Sequence, residues 1–192
     1  MNHTGASNKL EGRFEEFYRC EAQAVYRFVH ARVGNHEDAL EIVQESFLTL
    51  YRLQERGEAG EHERALLFRL ARNRSIDLLR RRTRETFEQE AATGKVLLFR
   101  AAETRTPEDV LLDKERQRCA TTALAQLSER DQECLALRRS GLSYREVAEA
   151  LHINPNSVGQ IINRALRRFA DAYQVLLGQK GTDEEAGKTR RE

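Results

Sequence analysis

Tryptophan is absent from this 192-residue chain, methionine occurs once and proline twice. An internal proline removes a helical hydrogen bond and clashes with the preceding turn, so a chain this poor in proline leaves room for long helices. Runs of β-branched residues, which a sheet would need, are scarce, while apolar residues recur at spacings of three and four. That period belongs to amphipathic helices. No apolar run approaches the ~18 residues of a membrane-spanning helix, and no membrane insertion is expected. The opening residues, MNHTGASNKLEG, contain no apolar signal core; a cytoplasmic location is the expectation.

Catalytic and metal-binding patterns are missing as well. Cys20, Cys119 and Cys134 lie far apart, without CxxC or Cys/His metal spacing, and read as reduced thiols of a cytosolic protein. The histidines His3, His30, His36, His62 and His152 form no HExxH-like cluster. Neither a phosphate-binding glycine loop nor a GxSxG elbow occurs. No catalytic residue, metal site or cofactor is assigned, and an enzyme is not expected.

What is abundant is charge, which makes up 33% of the residues with a net of only +1. Its distribution carries the information. Arg64, Arg69, Arg72, Arg74, Arg80, Arg81, Arg82 and Arg84 crowd one segment, with Glu63 and Asp77 opposing them, whereas the preceding segment is rich in Glu and Asp. One basic stripe and one acidic face suit two kinds of partner, a polyanion and a protein surface.

The pattern predicts an all-α protein of two small helical domains joined by a flexible linker, the second domain containing a helix-turn-helix. Residues 1–10 read as a disordered N-terminus. Residues 11–84 read as a domain of three helices. The first, over 13–33, carries Phe14, Phe17, Tyr18, Val25, Phe28 and Val29, with Gly34 as a stop. The second is capped by Asn35 and carries Ala39, Ile42, Val43, Phe47, Leu50 and Tyr51. After a polar loop at 54–62, the third spans 64–84, with Leu66, Leu67, Leu70, Ala71, Leu78 and Leu79 inward. Residues 85–115 form an acidic linker with a candidate helical turn at 95–102. Helical periodicity returns over 116–177, and 178–192 reads as a disordered tail.

The segment SGLSYREVAEALHINPNSVGQIINRALRRF carries the sharpest local signal. Ser143 and Glu146 stand in a capping-box relation, opening a helix over 144–151 with Val147, Ala148 and Leu151 inward. A tight turn follows at His152 and Ile153. Asn154 then caps a second helix whose first position, Pro155, needs no backbone donor. Asn156, Ser157, Gly159, Gln160 and Asn163 remain outward near its start. Small and amide side chains there suit base edges in the major groove, and Arg164, Arg167 and Arg168 lie where phosphates would run. A helical hairpin with a solvated basic face has the same local pattern.

Three segments in order resemble the extracytoplasmic-function sigma factors. EDALEIVQESFLTLYR (37–52) resembles their second conserved region, LLFRLARNRSIDLLRRRTR (66–84) the helix after it, and LAQLSERDQECLALRRSGLSYREVAEALHI (124–153) their fourth region. The resemblance implies an alternative sigma factor that directs bacterial RNA polymerase to −10 and −35 promoter elements and helps open the −10 region. It implies that Asp38, Glu41, Gln44 and Glu45 bind core RNA polymerase. Arg69, Arg72, Asn73, Arg80 and Arg81 would bind −10 DNA, and the loop at 54–62 would hold a flipped base, although it contains no aromatic residue. Asn156, Ser157, Gln160, Asn163, Arg164, Arg167 and Arg168 would bind −35 DNA. The partners implied are core polymerase, promoter DNA and an anti-sigma factor. Departures from the family pattern are Leu66 where tryptophan is common, Leu40 in an acidic pair, His152 at a turn glycine, and Gly159, Gln160 and Ile161 in place of a Lys-Ser-Arg run. The rival reading is a stand-alone helix-turn-helix regulator.

Overall fold

The computed structural model describes residues 3–87 and 107–188, with side chains placed over 10–84 and 115–178. Among these the chain is all helix: α1 (His3–Val33), α2 (His36–Glu55), α3 (Glu63–Phe87), α4 (Pro107–Ala125), α5 (Glu129–Arg139), α6 (Tyr144–Leu151) and α7 (Pro155–Lys188). Helical backbone therefore begins well before residue 13, occupies 107–115 within the expected linker, and continues past residue 177. These extensions lack an internal proline, and a nucleated helix gains one hydrogen bond for each residue added. The candidate turn at 95–102 lies outside the described residues.

Two compact units are formed, one from residues within 1–92 and 136–158, the other from residues within 93–135 and 159–192. In the first, α1, α2 and α3 pack mutually and α6 packs on α3. Val25, Phe28 and Val29 of α1 meet Ala39, Ile42, Val43, Phe47 and Leu50 of α2 and Leu66, Leu67, Phe68 and Ala71 of α3, all buried. Each large side chain so buried contributes roughly 1.5–3 kcal/mol relative to exposure. Phe47 is ringed edge-on by Phe14, Phe17 and Tyr18 at centroid separations of 6.1, 6.3 and 4.7 Å. Tyr18 covers Phe47 yet stays 45% exposed. Ser46 and Ser75 are buried but satisfied, each hydroxyl donating to the carbonyl four residues back (Ile42 at 2.6 Å, Ala71 at 2.7 Å). In the second unit Leu124, Leu127 and Ala165 form a core onto which Leu135 and Phe169 pack.

One stop signal is used repeatedly. At the end of α2 the Gly57 amide donates to Gln54 O and the Glu58 amide to Leu53 O; at the end of α5 the Gly141 amide donates to Arg138 O and the Leu142 amide to Leu137 O. This is the Schellman pattern, which needs a left-handed residue just past the helix; Gly57 and Gly141 supply it with φ of 71° and 89°. At the end of α6 the His152 and Ile153 amides donate in the same way to Glu149 O and Ala148 O. Here the left-handed residue is His152, at φ 52°, ψ 48°. A side chain in that conformation costs roughly 1–2 kcal/mol relative to glycine.

Candidate nucleic-acid interface

The helix-turn-helix is assembled from local capping. The Ser143 amide donates to Glu146 Oε2 at 2.7 Å, and the Glu146 amide donates back to Ser143 Oγ at 3.3 Å. Burial raises the Glu146 carboxyl pKa, but the Ser143 hydrogen bonds together with the Arg64 and His62 charges outweigh it and hold the carboxyl below its ordinary value. Past the His152 turn, the Asn156 amide donates to Asn154 Oδ1 at 2.9 Å, which starts α7. Val147, Ala148 and Val158 are buried, as are Ile161, Ile162 and Ala165 further along α7. Of the site residues expected on α7, Asn156, Gln160, Asn163, Arg164, Arg167 and Arg168 are exposed and Ser157 is half-buried; Leu166 between them is exposed as well. Spacings of three, four and seven place Asn156, Gln160, Asn163 and Arg167 along one line of the helix surface, with Arg164 and Arg168 on its flank.

Those two flank arginines are not independent. Arg164 donates to Asp131 Oδ1 at 2.9 Å, and Arg168 Nη1 lies 3.6 Å from Asp131 Oδ2. Asp131 is completely buried, whereas the arginine side chains are 53% and 60% exposed. The Asp131 amide donates to the Ser128 hydroxyl at 3.2 Å, a cap on the start of α5. Asp131 does not emerge from the sequence as a site residue. A Ser-x-x-Asp helix start is legible there, but the partner Arg164 lies 33 residues on in α7.

The polar residues of α3 differ in what they meet, and Arg84 is exposed near its end. Asn73, Arg80 and Arg81 are exposed and Arg72 is half-buried beside Asn73, donating to its Oδ1 at 3.2 Å. Arg69, also half-buried, lies 3.1 Å from His152 Nε2. The remaining arginines are tied to carboxylates. Arg64 binds Glu21 at 2.8 Å, donates to the carbonyls of Gly141 and Ser140 at 2.8 and 3.0 Å, and approaches Glu146 at 3.9 Å. Arg74 binds Glu45 at 3.0 Å and donates to Thr49 Oγ1 at 2.7 Å. Arg82 binds Asp38.

These pairings reshape the acidic face of α2. Asp38, Glu41, Gln44 and Glu45 share one side of the helix; Asp38 and Glu45 are paired with arginines of α3, and Glu41, Gln44 and Glu45 are exposed beside exposed Leu40 and Leu48. The α2–α3 connection leaves His62 half-buried, 3.6 Å from Glu149. Cys119 and Cys134 are buried and Cys20 is exposed. Burial pushes the Cys134 thiol up to about 11, so at neutral pH it is a packing group rather than a nucleophile. Among the described residues no group of His, Cys, Asp and Glu is placed to hold a metal ion, and no helix is long and apolar enough to cross a membrane.

Residues 17–85 match the family described as Sigma-70 region 2, and residues 117–169 match Sigma-70, region 4. The ECF RNA polymerase sigma factor BldN of Streptomyces coelicolor is 31% identical over 159 residues, 82% of this chain and 59% of BldN. The ECF RNA polymerase sigma factor SigE of Mycolicibacterium smegmatis is 28% identical over 82% of this chain and 60% of its own length. This chain thus spans about three fifths of those two relatives. The ECF RNA polymerase sigma-E factor of Haemophilus influenzae is 29% identical, with 76% of this chain and 80% of that protein covered. Two solved structures share the fold. The sigma factor RpoE of Bartonella quintana, bound to the anti-sigma factor NepR, superimposes with a TM-score of 0.62 at 22% identity, covering 85% of this chain and 98% of that one. CnrH, bound to the cytosolic domain of CnrY, gives 0.59 at 19% identity, covering 86% and 90%.

Proposed function

Since the chain belongs to the sigma-70 family, in its extracytoplasmic-function branch, we propose that it is an alternative sigma factor, a DNA-binding initiation factor of the cytoplasm rather than an enzyme. It directs core RNA polymerase to promoters with −10 and −35 elements and assists opening at the −10 element. The observation that carries this reading is the occurrence of both sigma-70 regions in order in one chain. A stand-alone regulator would use the helix-turn-helix and leave region 2 without a role.

The division of labour follows the chemistry of each surface. Residues 11–84 act as the region 2 domain, 116–177 as the region 4 domain, and the intervening segment spans the distance between promoter elements. In α2, Glu41 and Gln44 meet core polymerase directly, with Leu40 and Leu48 adding apolar area. Asp38 and Glu45 contribute from the same side of the helix, Asp38 bound to Arg82 and Glu45 to Arg74. In α3, Arg80 and Arg81 neutralise −10 phosphates, while Arg69, Arg72 and Asn73 combine backbone contact with limited base readout. In α7, Asn156, Ser157, Gln160 and Asn163 address base edges, and Arg164, Arg167 and Arg168 address phosphates. RpoE and CnrH are each held by a second protein in their structures. By analogy this chain has an anti-sigma factor as a further partner.

The test is capture of bacterial core polymerase by the purified chain, followed by run-off transcription from a randomised promoter library. Core binding with selection of a two-part promoter is the expected result. Tight binding to free duplex without core binding would replace this reading with the stand-alone regulator.

A further inference from the structure

We propose that Asp131 is a positioning residue for −35 recognition, acting through Arg164 and Arg168 as a fixed anchor for their guanidinium groups. The inference rests on the sigma-factor reading of α7 and goes beyond it by assigning a role to a residue that faces no DNA.

A carboxylate removed from water is unfavourable unless it is paired, and a buried ion pair returns little net stability compared with apolar packing. Asp131 is fully buried, with Arg164 and Arg168 as ionic partners. Apolar packing in this unit is supplied by other residues, Leu124, Leu127 and Ala165 with Leu135 and Phe169. The carboxylate is held rigidly from its own side by its place in the first turn of α5, where the Ser128 hydroxyl accepts from its amide. Oδ1 accepts from Arg164, while Oδ2 is buried without a hydrogen bond and has Arg168 at 3.6 Å.

The consequence concerns the arginines. A guanidinium has five donors in a rigid fork, so one bond to Asp131 leaves the others available to solvent or to a phosphate. With more than half of each side chain exposed, the outer donors remain accessible while Arg164 is tied by its hydrogen bond and Arg168 is drawn to the same carboxylate by charge alone. The ordering of two long side chains then precedes DNA binding, which is preorganisation. Fixed phosphate contacts on the flank set the depth and register of α7, and Gln160 and Asn163 read bases only in that register. Without the anchor the same cations would find phosphates in many registers. Affinity for any DNA would be kept or raised, and discrimination would fall.

The experiment uses holoenzyme reconstituted with core polymerase and duplex promoter fragments selected by the wild-type protein, with the −35 element intact or scrambled. For Asp131→Asn, preference for the intact element should fall by about tenfold and binding to the scrambled fragment should hold or rise. The salt dependence should steepen by up to about one in log–log slope, since one neutralising charge is removed from the two cations. A second variant guards against misfolding: with Arg164→Ala and Arg168→Ala already in place, Asp131→Asn should produce no further loss of discrimination. The proposal is overturned if discrimination is unchanged, if intact and scrambled fragments weaken in parallel with a falling melting temperature, or if the effect persists in the double-alanine background. If the wild-type holoenzyme shows no −35 dependence at all, the sigma-factor reading fails first and takes this one with it.

Discussion

In α3, Arg64, Arg74 and Arg82 end on carboxylates of Glu21, Glu45 and Asp38, supplied by α1 and α2. In α7, Arg164 and Arg168 end on Asp131, one buried acid of α5, and their side chains still reach solvent. In the sequence α3 is the more basic helix, with eight arginines against three in α7. Of the α3 arginines, Arg64, Arg74 and Arg82 join helices of one unit, Arg80, Arg81 and Arg84 face outward, and Arg69 and Arg72 are half-buried. The flank arginines of α7 have their direction set by a neighbour. Arginine density thus overstates how much positive charge α3 leaves unpaired with carboxylates.

The largest effect that sharpens this comparison should come from the outward pair of α3. Arg80→Ala with Arg81→Ala is expected to reduce promoter-dependent initiation at least about tenfold and to lower the salt slope by about two, with core binding unchanged. Run-off transcription across a salt series measures both; parallel loss of core binding would place these residues in folding instead. Next is the reading line of α7. Gln160→Ala with Asn163→Ala should erase about 1–3 kcal/mol of −35 preference for each bidentate base interaction removed, with the salt slope unchanged. Unaltered promoter choice would remove the pair from the reading surface.

Arg74→Ala, on the inward side of α3, should behave in the opposite manner. It breaks the Glu45 pair and the Thr49 hydrogen bond, lowering stability by about 1 kcal/mol after allowance for partial exposure. Thermal unfolding should register that loss while the salt slope stays put; a changed slope would mean that Arg74 also meets DNA. The smallest effect expected is that of Glu146→Gln, about 0.5 kcal/mol at neutral pH, the size of a carboxylate's interaction with a helix start. The Glu146 carboxyl is held below its ordinary value of 4.5. Its stabilisation is therefore complete above that pH and lost as pH falls through the lower folded-state value. Unfolding midpoints followed below pH 4.5 should show a shallower acid limb in the variant, and identical limbs would count against the charge.

Much of the architecture is readable in the amino-acid order. The α2 start at Asn35, the Ser143–Glu146 capping box, the proline opening α7 and the left-handed turn at His152 are all observed. So is most of the buried stripe on α2. The exposed α7 residues are legible too, because a helical period assigns outward positions once the buried ones are known. Less is readable at Tyr18, expected inward but 45% exposed, and at Phe68, absent from the expected stripe of α3 yet completely buried. α3 meets several neighbours around its first turns, so a single-stripe reading underestimates its burial.

Caps, turns and periodicities are settled by atoms within about four residues of one another, and for that reason they survive being read from a linear string. Ion pairs between helices are not local. Glu21 meets Arg64 across 43 residues, Asp38 meets Arg82 across 44, and Asp131 meets Arg164 across 33. Nothing in the spacing of those residues announces a partner. The sigma-70 resemblance, the helical class and the exposure of Asn156, Gln160 and Asn163 on α7 were carried by the order of the amino acids. Which acids of α2 are bound to α3, and which buried carboxylate aims the arginines of α7, was decided when the helices packed, because packing sets the few ångströms on which a charge–charge interaction depends.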